Sequence, residues 1–379
     1  MTTTMAKGFL LLTRSAAVLT LIVIALGAYT RLADAGLGCP DWPGCYGQLI
    51  VPSSDADVSM AEAKFPERPV EAHKAWLEMI HRYAASTLGL FILAIGFLGW
   101  KNREQVGVTS LSLVVLVLLQ GALGAWTVTL KLMPVIVMLH LLGGFTLFSL
   151  LILLHNQLMK VRPTAKSASR NVLSTELAYP KLTRLRHWSA AALVVLVIQI
   201  MLGGWTSSNY AALMCTSLPI CNGDWISYLD FKNAFTLVLG HDNYEYGVLE
   251  YPARMTIHVT HRIGAVITTL VFGFFILRLF QFATAHKQPN IAIWALLLLL
   301  LLLTQLGLGI INVVMSLPLL NAVAHNVVAS LLLVTTVTTL FQVRALQRSL
   351  TLTPQRAEDN SSTKDTAVLT PEQKEMSHG

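Results

Sequence analysis

The sequence predicts an all-α integral membrane protein whose eight spanning helices form two four-helix bundles related as parallel repeats. Three observations predict it. Of 379 residues, 54% are hydrophobic and 12% charged, whereas a soluble domain carries about a quarter charged residues. Mean hydropathy is +0.60. The marker residues of the chain also occur twice, in the same order.

A helix needs roughly 20 mostly apolar residues to cross the hydrocarbon layer. Eight segments qualify, at 12–31, 75–99, 107–130, 134–156, 187–208, 255–281, 291–315 and 319–343. A net charge of +7 raises the question of nucleic acid, and the placement of the charges answers it. The N-terminus, the segments near 101–104, 157–186 and 282–290, and the tail hold Lys7, Arg14, Lys101, Arg103, Lys160, Arg162, Arg184 and Arg186. The loops near 32–74 and 209–254 are mostly acidic, with Asp34, Asp41, Glu62, Glu71, Asp224 and Glu250. The positive-inside rule puts the first set in the cytoplasm, with both termini inside. The basic balance marks topology, and no nucleic-acid partner is expected. Lys7, the apolar run after it and Ala33-Asp34-Ala35 have the form of a signal peptide. The repeat argues that the segment is retained, because its counterpart in the second half is an internal helix.

The first half reads Gly27-Ala-Tyr-Thr, Cys39 and Cys45, Ile80-His81-Arg82, Gln120, His140. The second reads Gly203-Gly-Trp-Thr, Cys215 and Cys221, Thr260-His261-Arg262, Gln305, His325. Four spans return the chain to its starting side, so the halves are parallel repeats about an axis along the membrane normal. The expected units are 1–156, a polar linker at 157–186 with Pro163 and Pro180, and 187–345. The tail at 346–379 is too poor in apolar residues to fold and is expected to be disordered.

Of 11 histidines, His81, His140, His261 and His325 fall inside spans at repeat-related places. Each lies about six to nine residues from the outer end of its helix, roughly 10 Å deep at 1.5 Å per residue. Two imidazoles facing each other in a bundle core can hold a haem iron from both sides. The plainer reading of one such His is a hydrogen-bonded packing residue; two matching pairs favour ligation. Zinc or copper would want three or more ligands close together. The remaining His73, His155, His187, His241, His286 and His378 read as surface residues.

Arg82 and Arg262 each follow a candidate ligand. They either pair with haem propionates in bidentate fashion or snorkel to the outer headgroups. Glu78 stands three residues before His81, on the same helix face; His258 holds the matching position. The halves are thus alike as haem holders and unlike in proton chemistry, as expected if one binds substrate and the other an electron-transfer cofactor. The bland alternatives are a carboxylate favoured near a helix N-terminus and a helix-end histidine. All four cysteines lie in the acidic outer loops, as Cys39–Cys45 and Cys215–Cys221. Two structural disulfides are the simple reading in an oxidising compartment, with a redox-active dithiol as the alternative. Gly121, Gly124, Gly143, Gly144, Gly307 and Gly309 are expected to allow close helix approach.

Taken jointly, Gly27-Ala-Tyr-Thr-Arg31, Gly36-Leu-Gly-Cys-Pro-Asp-Trp-Pro-Gly-Cys45-Tyr-Gly-Gln48, Glu78-Met-Ile-His-Arg82, His140, His261-Arg262 and His325 resemble the haem A synthase family over roughly residues 12–345. The resemblance implies an inner-membrane enzyme with its haem sites near the periplasmic side. It would oxidise the C8 methyl of haem O to an alcohol and then a hydrated aldehyde, which loses water to give the formyl group of haem A. His81 and His140 would hold the substrate iron, His261 and His325 a haem b cofactor, and Glu78 would be catalytic. O2, an electron donor, haem O synthase, oxidase assembly factors and a second copy of the chain are the partners such an enzyme would meet. Two histidines on one iron leave O2 no open position, so either a ligand departs or the methyl is oxidised by another route. The main rival is a di-haem b electron-transfer cytochrome, which has no evident use for a carboxylate beside one haem only. A repeat-built transporter would show broken helices near the midplane.

Overall fold

The computed structural model describes residues 3–101, 103–160 and 175–365, with side chains over 7–101, 106–159 and 179–348. The helices are α1 (Thr3–Leu32), α2 (Asp55–Lys64), α3 (Ala72–Trp100), α4 (Arg103–Thr129), α5 (Pro134–Lys160), α6 (Thr175–Ser208), α7 (Phe231–Ala234), α8 (Tyr251–Ala285), α9 (Pro289–Val314) and α10 (Leu319–Asp365). All but α2 and α7 are long and apolar enough to cross a membrane. In lipid a backbone has no water to bond, so a spanning segment must satisfy itself as helix. Hydroxyls inside the spans obey the same constraint. Thr13 donates to Phe9 O at 2.8 Å, Thr20 to Ala16 O at 2.7 Å and Thr336 to Leu332 O at 2.8 Å. Pro252 and Pro289 open α8 and α9, where the first turn needs no N–H donor.

α1, α3, α4 and α5 pack in a ring, each on the next and α5 back on α1; α6, α8, α9 and α10 do the same. The rings meet through α1 on α10, α5 on α6, and α5 on α10. Exchanging α1 for α6, α3 for α8, α4 for α9 and α5 for α10 leaves this set of contacts unchanged. Backbone turns follow the same correspondence. Left-handed Asp34 (φ 50°) matches Tyr210 (φ 53°), and the pair Lys131–Leu132 matches Ser316–Leu317. One apolar core, around Phe9, Ile92, Leu113 and Leu151, lies in the first ring. The other gathers Phe272, Phe275, Leu298 and Leu332 of the second ring, with Phe145 of α5 reaching across.

Helix ends differ from the sequence expectations. The expected linker at 157–186 shrinks, because α5 continues to Lys160 and α6 already runs from Thr175; residues 161–174 lie outside the described residues. Pro180 sits inside α6 as its sixth residue, where the helix forgoes one ladder bond. The backbone of α10 continues to Asp365, past the expected boundary at 345, through a segment with helix formers such as Gln355, Arg356, Ala357 and Glu358. The rest of the tail lies outside the described residues. α2 was not expected, yet its start is legible: Ser54 Oγ accepts from Asp57 N at 3.1 Å, and Asp55 and Asp57 occupy the first turn.

The loops 33–71 and 209–250 cover the same end of the bundle and hold the two halves together there. Arg68 donates to both carboxylate oxygens of Glu245, at 2.9 and 3.1 Å, and through Nε to Leu37 O at 2.9 Å. Glu245 raises the Arg68 pKa, principally through that hydrogen bond. Tyr244 N donates to Lys131 O at 3.0 Å, and Arg31 to Ser207 O at 2.7 Å. The Glu245 side chain is only 4% exposed, so removing its charge strands the Arg68 fork. Glu245→Gln is expected to cost on the order of 1–3 kcal/mol. The loop 209–250 should become more susceptible to limited proteolysis in the purified protein, with the spans left intact.

Candidate functional site

A cavity of about 400 Å3 lies inside the first ring, lined by Glu78, His81, Arg82, Gln120 and His140. Arg31 and Trp42 also line it, as do Gly204, Ser207 and Asn326 of the second ring. Glu78, His81, Arg82 and His140 were expected at a common site, and the fold brings them together across α3 and α5.

Each candidate ligand lies against a glycine of a neighbouring helix. A Cβ at Gly27 would come within 2.9 Å of His81 Cε1, and one at Gly203 within 3.1 Å of His261 Cε1. A Cβ at Gly124 would meet His140 Cε1 at 3.4 Å, and one at Gly309 would meet His325 Cε1 at 3.3 Å. The four positions correspond in pairs, so both halves seat their imidazoles alike. His81 Nδ1, His140 Nδ1 and His325 Nδ1 are buried with no hydrogen-bond partner. The ring nitrogens engaged in the second half meet glutamines. Gln199 Nε2 lies 3.1 Å from His261 Nδ1 and donates to His261 O at 3.0 Å; Gln305 Nε2 lies 3.1 Å from His325 Nε2. Among the described residues no group of three or more His, Cys, Asp and Glu is placed to hold a metal ion.

The polar residues flanking His81 and His261 grip the loops above them. Glu78 is 4% exposed. Its Oε2 accepts from Cys39 N at 2.9 Å, and its Oε1 from Arg82 Nη2. Arg82 also donates to Asp41 O at 3.0 Å and to Pro43 O at 3.2 Å. In the second half Cys215 N meets His258 Nδ1 at 3.3 Å, while Arg262 donates to Ser217 O and Pro219 O, each at 2.8 Å. Asp41 and Pro43 correspond to Ser217 and Pro219 in the repeat. The clamp is one device built twice, with a carboxylate in one copy and an imidazole in the other. Both cysteine pairs are bonded, Cys39–Cys45 and Cys215–Cys221.

These contacts revise several expectations. Neither arginine snorkels, because the loop carbonyls take its donors; Arg82 nevertheless still lines the cavity. His258 is buried at 4% exposure rather than frayed at a helix end. Gly121 and Gly144 line the cavity and have open space where a Cβ would stand, so they make room rather than bring helices close. Gly307 also faces open space, while Gly143 admits the Gln120 side chain. His155 and His286, expected at the surface, each bury a ring nitrogen.

Sequence reasoning missed Gln199, which has Val23 at the matching position and so left no repeat signal. It also missed Arg31, although that residue ends the quoted Gly27-Ala-Tyr-Thr-Arg31 motif. Arg31 stands 4.1 Å from the centre of the Tyr210 ring, and its Nε is buried without a partner. Burial pushes the Tyr210 phenol up, against a smaller opposing pull from Arg31.

Fold and site place the chain among multi-pass membrane proteins that carry histidines within their spanning helices. Residues 10–337 match the family described as cytochrome oxidase assembly protein, COX15-CtaA, and the chain belongs to that family. It is 52% identical over 328 residues to the heme A synthase of Shewanella oneidensis, covering 86% of this chain and 94% of the relative. Similarity extends to the heme A synthase of Methylobacterium radiotolerans, 27% identical over 338 residues, covering 83% of this chain and 84% of that one. The heme A synthase of Halalkalibacterium halodurans is 24% identical over 329 residues, covering 83% and 90%.

The glycine seats yield a graded expectation. Gly27→Ala puts a methyl inside the closest distance real Cβ atoms adopt and must displace His81, whereas Gly203→Ala asks His261 for a few tenths of an ångström. Absorption spectra of the purified variants should show the larger loss or shift of bound chromophore for Gly27→Ala. Equal effects would mean that the glycines do not set ring position.

Proposed function

We propose that the protein is a haem A synthase, a membrane oxidoreductase that oxidises the C8 methyl of haem O to a formyl group. The observation that carries this reading is the cavity of about 400 Å3 that gathers Glu78, His81 and His140. The 52% identical relative bearing that enzyme name supports it. A rival without chemistry of its own, a di-haem electron carrier, has no use for a carboxylate in one half and an imidazole in the other.

The residues present fit a haem. Imidazoles at repeat-related places, three of them with a partnerless ring nitrogen, and glycines beside them suit a haem. His81 and His140 would hold the iron of the substrate haem, and His261 and His325 that of a haem b cofactor. Bound haem b supplies one-electron transfer. Arg82 and Arg31, which line the cavity, would supply cations for substrate propionates; Arg262 would be the counterpart at the cofactor site. The loops closed by Cys39–Cys45 and Cys215–Cys221 shield the mouth from water and fix Glu78 and His258 from above. O2 and an electron donor complete the reaction. The halves, 1–156 and 187–345, are parallel repeats with both termini in the cytoplasm, which puts the sites near the periplasmic side of a bacterial inner membrane.

Glu78 holds one negative charge beside the substrate. There it takes a proton, deprotonates a water, or stabilises positive charge developing at the methyl carbon. Glu78→Gln keeps an acceptor for Cys39 N and removes the charge, so it separates chemistry from loop anchoring. Turnover is expected to fall on the order of 100-fold with haem content retained; full turnover in this variant would exclude all three roles.

The reading itself is tested by extracting haems from protein made with and without a haem O synthase and separating them by chromatography with mass detection. Haem A or its alcohol precursor is expected only when haem O is supplied. Haem b alone under both conditions, with haem O present, would instead identify an electron-transfer cytochrome.

A further inference from the structure

A second cavity, of about 360 Å3, lies at the end of the bundle opposite the disulfide loops, where α6 meets α10. It is lined by Tyr179 and Arg186 of α6 and by Arg344, Gln347 and Arg348 of α10. Gln347 ties the two helices together. Its Nε2 donates to Thr183 Oγ1 at 2.9 Å, and its Oε1 accepts from Arg186 Nη1 at 3.4 Å. The described side chains of α6, α8, α9 and α10 include no Asp or Glu. None of the salt bridges among the described residues involves Arg186 or Arg344.

We infer that this cavity binds the phosphate of an anionic phospholipid headgroup in the cytoplasmic leaflet. The guanidiniums of Arg186 and Arg344 line one hollow and repel each other unless an anion sits between them, and their planar forks match phosphate oxygens. Tyr179 adds a hydroxyl donor at the level where tyrosines favour the headgroup region. The helices that form the hollow are themselves spans, so a lipid reaches it by lateral diffusion with its acyl chains along α6 and α10. Such pockets between spans on the cytoplasmic side are suited to anionic headgroups. The inference is independent of the haem chemistry, because α6 and α10 meet here at the far end from the candidate iron ligands.

The test uses the purified full chain in a neutral detergent. Thermal unfolding is titrated with short-chain phosphatidylglycerol, with the matching phosphatidylcholine, and with inorganic phosphate. Phosphatidylglycerol is expected to stabilise at lower concentration than the other two. Arg186→Gln and Arg344→Gln should each weaken its apparent affinity roughly fivefold, and Arg344→Lys should recover much of the loss. Arg344 is exposed, so its replacement leaves the core intact even if Arg186→Gln disturbs the bond to Gln347. Arg278→Gln, at the same end of α8, should change nothing. Equal stabilisation by phosphatidylcholine, equal stabilisation by free phosphate, or unchanged affinity in the double variant would each overturn the lipid site.

Discussion

The disulfide loops are fastened to the spans that carry the candidate iron ligands, and the organisation of the site depends on that fastening. Glu78 and Arg82 bracket His81 on α3; His258 and Arg262 bracket His261 on α8. One bracket residue accepts the N–H of the first cysteine, and the other donates to carbonyls further along the loop. Buried polar groups near lipid must find partners within the protein. The same bonds that satisfy the helix residues therefore also order the lid. A shift of either loop would be felt one residue away from a candidate ligand.

The two copies of the clamp differ in the residue that meets the cysteine N–H. An imidazole nitrogen and a carboxylate oxygen can each accept that bond, so the structural task does not require the difference. The carboxylate adds a negative charge beside the larger described cavity, and the imidazole does not. A repeat keeps what folding needs in both halves, and a departure from it points to what only one half does. Gln199 against Val23 is a second such departure, and it falls beside His261 in the other half.

Much of this was legible in the sequence. Apolar length gave the eight spans, since lipid imposes one length on every span. The doubled markers singled out His81, His140, His261 and His325 and the cysteine pairs that are bonded here, and the departure at Glu78 against His258 stood out against them. Contacts between segments far apart in the chain were not legible. The bonds from Arg82 and Arg262 to loop carbonyls depend on how a turn folds over a helix end, and local spacing does not encode that. Arg68 and Glu245 are ordinary loop charges in sequence; only the docking of the halves makes them a buried pair. The glycines misled for a related reason, because a small residue serves equally to bring helices together or to keep a space open. Gly121 and Gly144 do the second, and no spacing rule distinguishes the two uses.

The bonds of Glu78 bear on which of its three proposed roles costs least. A carboxylate has about four lone-pair positions, and Cys39 N and Arg82 engage one on each oxygen. Spare acceptor sites remain for a water or a substrate hydroxyl. Receiving a proton would weaken the pairing with Arg82, whose other bonds hold the loop at Asp41 and Pro43. Proton transfer at Glu78 would thus be coupled to loosening of the lid. Stabilising positive charge on the substrate needs no exchange of partners, since the charge acts through space. The clamp favours the electrostatic role for a lid that stays closed, and the proton role for one that opens as the proton arrives.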